Sequence, residues 1–273
     1  SDFWQSHREN LQVIPLEISL EVDSFYSQPE WTVYRMRYTG LGGYRLFAWL
    51  SVPLAGGTYP ALIRMPDYGS VHDIVYTSLR SQAIVMNPTY RGQRNSDVPF
   101  QAEYPGLLTE GIETPETYVM RQVFADALRA VHALLTQQVA TVSALTITGA
   151  GLGGSLALAV ASQCPTVMAV AADVPLMLGH PDILGEATAY PLGELNDYLR
   201  VYPHRRGTVL ADTSPLNPLS IAAKVYVPVL LSVGTRDRGQ CPVAMGEELA
   251  KRIPQCDLHI YDGAGEGGGH PHN

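Results

Sequence analysis

The chain has 273 residues, 46% hydrophobic and 16% charged, with 25 Gly and 20 Pro, a composition able to bury one large core. Its 26 acidic residues outnumber 18 basic ones, for a formal net charge of -8 without any basic block, which argues against nucleic acid and anionic membranes as partners. No apolar run approaches a membrane span, and Cys164, Cys241 and Cys256 are too few for a disulfide framework or a cysteine metal site.

These features, with an N-terminal Ser1-Asp-Phe-Trp that lacks the layout of a secretory leader, set the expectation of a soluble, cytoplasmic single domain over 1–273. Its three thiols are expected to be buried, and no metal or cofactor is implied. Residues 1–55 read as an extension of antiparallel strands: Leu16–Val22, Thr32–Tyr38 and Tyr44–Val52, the last two linked by Gly40-Leu-Gly-Gly43. Short apolar runs follow at Pro60–Met65 and Gln82–Met86, separated by a segment long enough for a helix, as a buried parallel sheet requires. Asn87–Glu116 is rich in Pro, Tyr and Gly and reads as a long functional or lid-like excursion.

Past that excursion Phe124, Ala127, Leu128, Val131, Leu134 and Leu135 recur at helical spacing, with Thr114-Pro115-Glu116 as the start. Strand Leu145–Thr148, helix Leu156–Ser162 and strand Val167–Ala172 come next, then an irregular or helical stretch through Asp173–Lys224. Strand Val227–Val233, helix Val243–Arg252 and strand Asp257–Tyr261 complete the pattern, and 263–273 reads as a flexible Gly/His tail.

The run Thr146-Ile-Thr-Gly-Ala-Gly-Leu-Gly-Gly-Ser155 passes from strand through a glycine-dense turn into a helix, the outline of an α/β-hydrolase nucleophile elbow. Where that elbow reads G-x-S-x-G, this chain has Gly149-Ala150-Gly151-Leu152-Gly153, with glycine at the nucleophile position. Two other readings stand beside it. One is a plain strand-to-helix turn; the other is a nucleotide loop, because Gly149-x-Gly151-x-x-Gly154 fits G-x-G-x-x-G, although no acidic residue follows at the spacing such a loop needs.

Further motifs resemble those of the acetyl xylan esterase and cephalosporin-C deacetylase family. Arg91-Gly92-Gln93 is similar to its RGQ, Tyr118–Arg129 to a helix of the YxxRxxxxDAxR kind, and Ala172-Asp-Val-Pro175 to ADVP. Tyr190-Pro-Leu-Gly-Glu-Leu-Asn-Asp-Tyr198 resembles PYxEIxxY, and Val233-Gly-Thr-Arg-Asp237 with Cys241-Pro242 resembles the segment carrying the catalytic aspartate. The resemblance runs from about Leu16 to Tyr261. It implies an α/β-hydrolase fold with a mostly parallel sheet, deacetylation of a small acylated sugar or other acetyl ester, and a ring-like homo-oligomer.

The departures fall on the catalytic positions. The family's GGSQGG has lost its serine at Gly151 and its glutamine at Leu152. Its GHE histidine position is passed where Gly265 runs directly into Glu266, leaving His270, in a glycine tract, as the tentative base. Tyr68 matches the tyrosine of HGY, whose backbone N–H is expected to serve the oxyanion hole with Leu152, but the histidine before it is Asp67 here. Asp237 retains the carboxylate position, while Ser155, the nearest hydroxyl, reads as a helix-start residue. An acyl-transfer triad needs hydroxyl, imidazole and carboxylate together. The expectation is therefore an impaired deacetylase-family protein. The alternatives are an active esterase with a non-standard nucleophile or activated water, and a non-catalytic ligand-binding or assembly protein.

Overall fold

The computed structural model describes residues 2–54, 57–69, 78–96, 102, 106–184 and 189–265. Among these residues, nine strands form one sheet: β1 (Ser19–Gln28), β2 (Trp31–Thr39), β3 (Arg45–Pro53), β4 (Thr58–Met65), β5 (Ile84–Pro88), β6 (Thr141–Ala150), β7 (Val167–Asp173), β8 (Val229–Gly234) and β9 (Cys256–Tyr261). Their order is β1-β2-β3-β5-β4-β6-β7-β8-β9. The first three strands are antiparallel to their neighbours, and every pair from β5 to β9 is parallel. Among the described residues the α-helices are α1 (Asp2–Val13), α2 (Val119–Thr136), α3 (Leu152–Gln163), α4 (Gly193–Val201), α5 (Arg206–Thr213), α6 (Pro218–Ile221) and α7 (Val243–Arg252).

The inner parallel strands carry apolar runs because helices cover both faces of such a sheet, whereas the edge strand β9 has no buried residue. All five residues of β5 are buried, and α3, packed on β6 and β7, is buried over ten consecutive residues from Leu152 to Ala161. A helix so enclosed tolerates only small residues where it approaches strands. At Gly153 a β-carbon would stand 2.5 Å from the Met65 carbonyl oxygen, and at Gly149 one would stand 2.4 Å from Gly153.

The direction in which the chain winds changes between β4 and β6, which pair in parallel while β5 lies on the far side of β4. Open α/β sheets bind ligands in the crevice beyond the carboxyl ends of such strands. Met65 sits opposite Gly149 at the end of this pair, so residues 67 and 151 leave the sheet side by side.

Several boundaries differ from the sequence reading. The extension holds a helix, α1, that the pattern did not reveal, because only Trp4 and Leu11 of its largely polar stretch are fully buried. Tertiary contacts hold it: Trp4 packs on Phe124 at 6.0 Å, and Arg129 donates to the carbonyls of Leu11 at 2.9 Å and Ile14 at 2.5 Å, satisfying groups a helix end leaves open. The first strand begins at Ser19 rather than Leu16, and α2 begins at Val119, with Thr114-Pro115-Glu116 in the turn before it. Helix α3 starts four residues earlier than expected, directly after Gly151. Of the thiols only Cys241 is fully buried; Cys164 and Cys256 are half-buried, and all three are free.

Candidate active site

At the apex after β6, Gly151 has φ 54 and ψ -122, a conformation that strains any residue with a β-carbon. Its N–H bonds the Asp173 carbonyl at 3.0 Å and its carbonyl accepts from Leu176 N at 2.9 Å, so β7 and the loop beyond it fix the turn on both sides. This is the geometry of a nucleophile elbow. A β-carbon built on Gly151 would lie 2.1 Å from Asp67 Oδ1.

That Asp67 oxygen accepts two backbone N–H groups, from Tyr68 at 2.6 Å and from Leu152 at 2.9 Å. The sequence places the oxyanion hole at these two donors, and the structure finds an aspartate carboxylate between them. Burial raises the Asp67 pKa, the two N–H bonds lower it, and the neighbouring Asp173 carboxylate raises it. The Asp67 carbonyl is itself held by the Tyr90 hydroxyl at 3.1 Å and Gln93 Nε2 at 3.0 Å, while the Tyr90 hydroxyl accepts from Gly69 N.

The RGQ and DAxR motifs support this loop from below. Arg91 donates from Nε and Nη2 to the two Asp126 oxygens at 2.8 and 2.7 Å, with both side chains almost wholly enclosed. A buried pair of this kind is costly to break from one side. Arg91 also bonds Gln122 and the Leu41 carbonyl and lies over the Tyr44 ring at 4.8 Å. Tyr90 and Gln93, on either side of it, are thus set at the height of Asp67.

Tyr68 has a second role that sequence reasoning missed. Its hydroxyl donates to Glu194 at 2.6 Å and accepts from Leu107 N at 2.9 Å, and Glu194 also accepts from Leu108 N at 3.1 Å. Burial raises the pKa of both side chains. A β-carbon at Gly106 would lie 2.4 Å from the Glu194 carboxyl, so glycine there admits the carboxylate. Glu194 falls within the PYxEIxxY-like stretch, whose glutamate was the available signal.

Asp237 is 4% exposed and accepts from Gly239 N and Gln240 N at 2.9 Å each and Cys241 N at 2.8 Å. The loop after β9 packs beside it: Arg236 N donates to the Ala264 carbonyl at 2.8 Å, and a β-carbon at Gly234 would meet the carbonyls of Ala264 and Gly265. The chain therefore passes the Asp237 loop at Gly265. Glu266 and His270 lie outside the described residues. Ser155 lies within the first turn of α3, whose N-cap is Gly151; it is fully buried, and its hydroxyl donates to the Leu176 carbonyl at 2.7 Å. Among the described residues no group of three or more His, Cys, Asp or Glu is placed to hold a metal, and no helix is long and apolar enough to cross a membrane.

In overall structure the chain is similar to acetyl xylan esterase 1 from Thermoanaerobacterium sp. JW/SL YS485, with a TM-score of 0.88 at 22% identity, covering 97% of this chain and 87% of that one. An acetyl xylan esterase from Paenibacillus sp. R4 gives 0.87 at 22% identity, with 97% and 88% covered. These likenesses establish the α/β-hydrolase fold. In sequence it is 22% identical over 255 residues to the acetyl esterase Axe7A of Xylanibacter ruminicola, covering 88% of this chain but 56% of that protein, so it spans little more than half the length of that relative. The model of the acetyl xylan esterase (AXE1) family matches residues 1–272, and the chain belongs to that family.

Proposed function

We propose that this protein keeps the acetyl xylan esterase scaffold and has lost its acyl-transfer chemistry, leaving a site related to binding small acetyl esters or acylated sugars. The observation that carries this reading is Gly151 at the elbow apex with φ 54, a position built for a nucleophile and occupied by a residue with no side chain. The Ser155 hydroxyl does not take over, because it is committed to the Leu176 carbonyl inside α3. The carboxylate of Asp237 is held by three backbone N–H groups of its own loop, and in a triad such a carboxylate orients an imidazole rather than attacking the ester.

Hydrogen-bond donors and substrate binding without a triad sustain about a thousandfold acceleration over water in acyl transfer. Here even the donors are taken by Asp67, so turnover should fall below that level. The test is hydrolysis of a chromogenic acetyl ester by the purified protein, together with labelling by a fluorophosphonate. The reading expects neither turnover above about that residual level nor stoichiometric labelling. Rapid turnover with one phosphonate bound per chain would overturn it.

A further inference from the structure

We propose that the backbone N–H groups of Tyr68 and Leu152 form a binding site for a small carboxylate, and that this chain fills the site with its own Asp67 side chain. Two converging donors within about 3 Å of one oxygen are what stabilises a developing oxyanion during acyl transfer. Asp67 Oδ1 stands at that point, 2.6 and 2.9 Å from the two nitrogens. Leu152 is the first residue of α3, so the helix N-terminus adds its favourable field for negative charge.

The same oxygen fills the space that a side chain at 151 would enter, 2.1 Å from its β-carbon. One carboxylate thus holds two places at once, the oxyanion's and the nucleophile's. The register explains how: Met65 pairs with Gly149, so the second residue beyond this pair on each strand meets the other. Asp67 and Gly151 are accordingly one unit. Glycine at 151 makes room for the aspartate, and the aspartate closes the hole to an ester carbonyl. Among the described residues, the Asp173 carboxylate and the phenols of Tyr90 and Tyr190 act electrostatically on Asp67.

This inference deepens the impaired-site reading and rests on it, but its test reads binding through unfolding rather than turnover, so either can fail while the other stands. In Asp67→Gly the missing atoms are a methylene and a carboxylate, which acetate replaces atom for atom. Urea unfolding of Asp67→Gly is followed against sodium acetate, with sodium chloride at matched ionic strength as the control. The expected result is a midpoint that rises with acetate and follows the logarithmic dependence of a single site, while the unmutated protein does not respond. No acetate-dependent rise in Asp67→Gly, or an equal rise in the unmutated protein, would overturn the proposal.

If Asp67→Gly does not fold, the amide resonances of Tyr68 and Leu152 in the unmutated protein decide. Over about pH 4 to 8 both should shift with one shared midpoint as the carboxyl between them titrates, and neither should respond to acetate. Separate midpoints, or acetate-induced shifts at both amides, would show that Asp67 does not occupy the site.

Discussion

Two aspartates at the rim of the sheet are held by backbone N–H groups in opposite ways. Asp237 takes its three donors from Gly239, Gln240 and Cys241, all within four residues of itself, whereas Asp67 takes one from its neighbour Tyr68 and the other from Leu152, 85 residues away. A carboxylate satisfied by its own loop is a local feature, stable whatever happens across the crevice. A carboxylate satisfied by the next strand's helix exists only while the opposing position leaves it room. The first depends on its own loop alone, and the second depends on glycine at 151.

Truncation should separate the two most strongly. Asp237→Ala leaves three buried N–H groups without their charged acceptor, at about 1.5–3 kcal/mol for a bond to an ionised group, and should cost on the order of 3 kcal/mol or more. Asp67→Ala leaves two donors at a half-buried site that water can reach and removes a carboxylate that burial disfavours, so about 1–2 kcal/mol is expected. Urea unfolding of both variants with unchanged slope measures the gap. Equal costs would mean that the local and the distant arrangements are equivalent, which the geometry denies.

A smaller effect concerns pH. The folded-state pKa of Asp67 lies above its unfolded value, first through burial and then through Asp173, against the pull of the two N–H bonds. The fold therefore holds the proton more tightly than the unfolded chain does. The stability this contributes is complete below the unfolded value of about 3.9 and is lost as pH rises through the raised folded value. Asp67→Asn keeps an oxygen between the donors and does not titrate there. Relative to Asp67→Asn, the unmutated protein should lose stability as pH rises from about 4 to 7. A difference between the two that stays constant across that window would show that the Asp67 pKa is not raised.

The same contrast sets what the sequence disclosed. Strands β4, β5, β7 and β8 read as short apolar runs, β5 most clearly because all five of its residues are buried, and α7 begins and ends where its pattern does. The Asp237 loop was legible through the resemblance of Val233–Asp237 with Cys241-Pro242, and its N–H donors lie within that same stretch. The elbow was legible as a glycine-rich turn, and φ 54 at Gly151 accords with it. Helix α1 was not legible, because its hold on α2 comes from Arg129 and Phe124, more than a hundred residues on. Asp67 in place of the histidine could be read from the sequence, but not its position in the hole, which follows from the pairing of Met65 with Gly149. Glu194 likewise meets Tyr68 only through the fold.

The most direct test of the account is a double-mutant cycle between Gly151→Ser and Asp67→Gly, read by urea unfolding. In the unmutated background, serine at 151 carries the strain of positive φ, about 1–3 kcal/mol, and displaces a carboxylate pinned by two N–H groups, about another 1–3 kcal/mol of overpacking. With Asp67→Gly already present only the first cost remains, so the two substitutions should couple favourably by about 1–3 kcal/mol. Additive costs, within about 0.5 kcal/mol, would mean that residue 151 and Asp67 do not share one space.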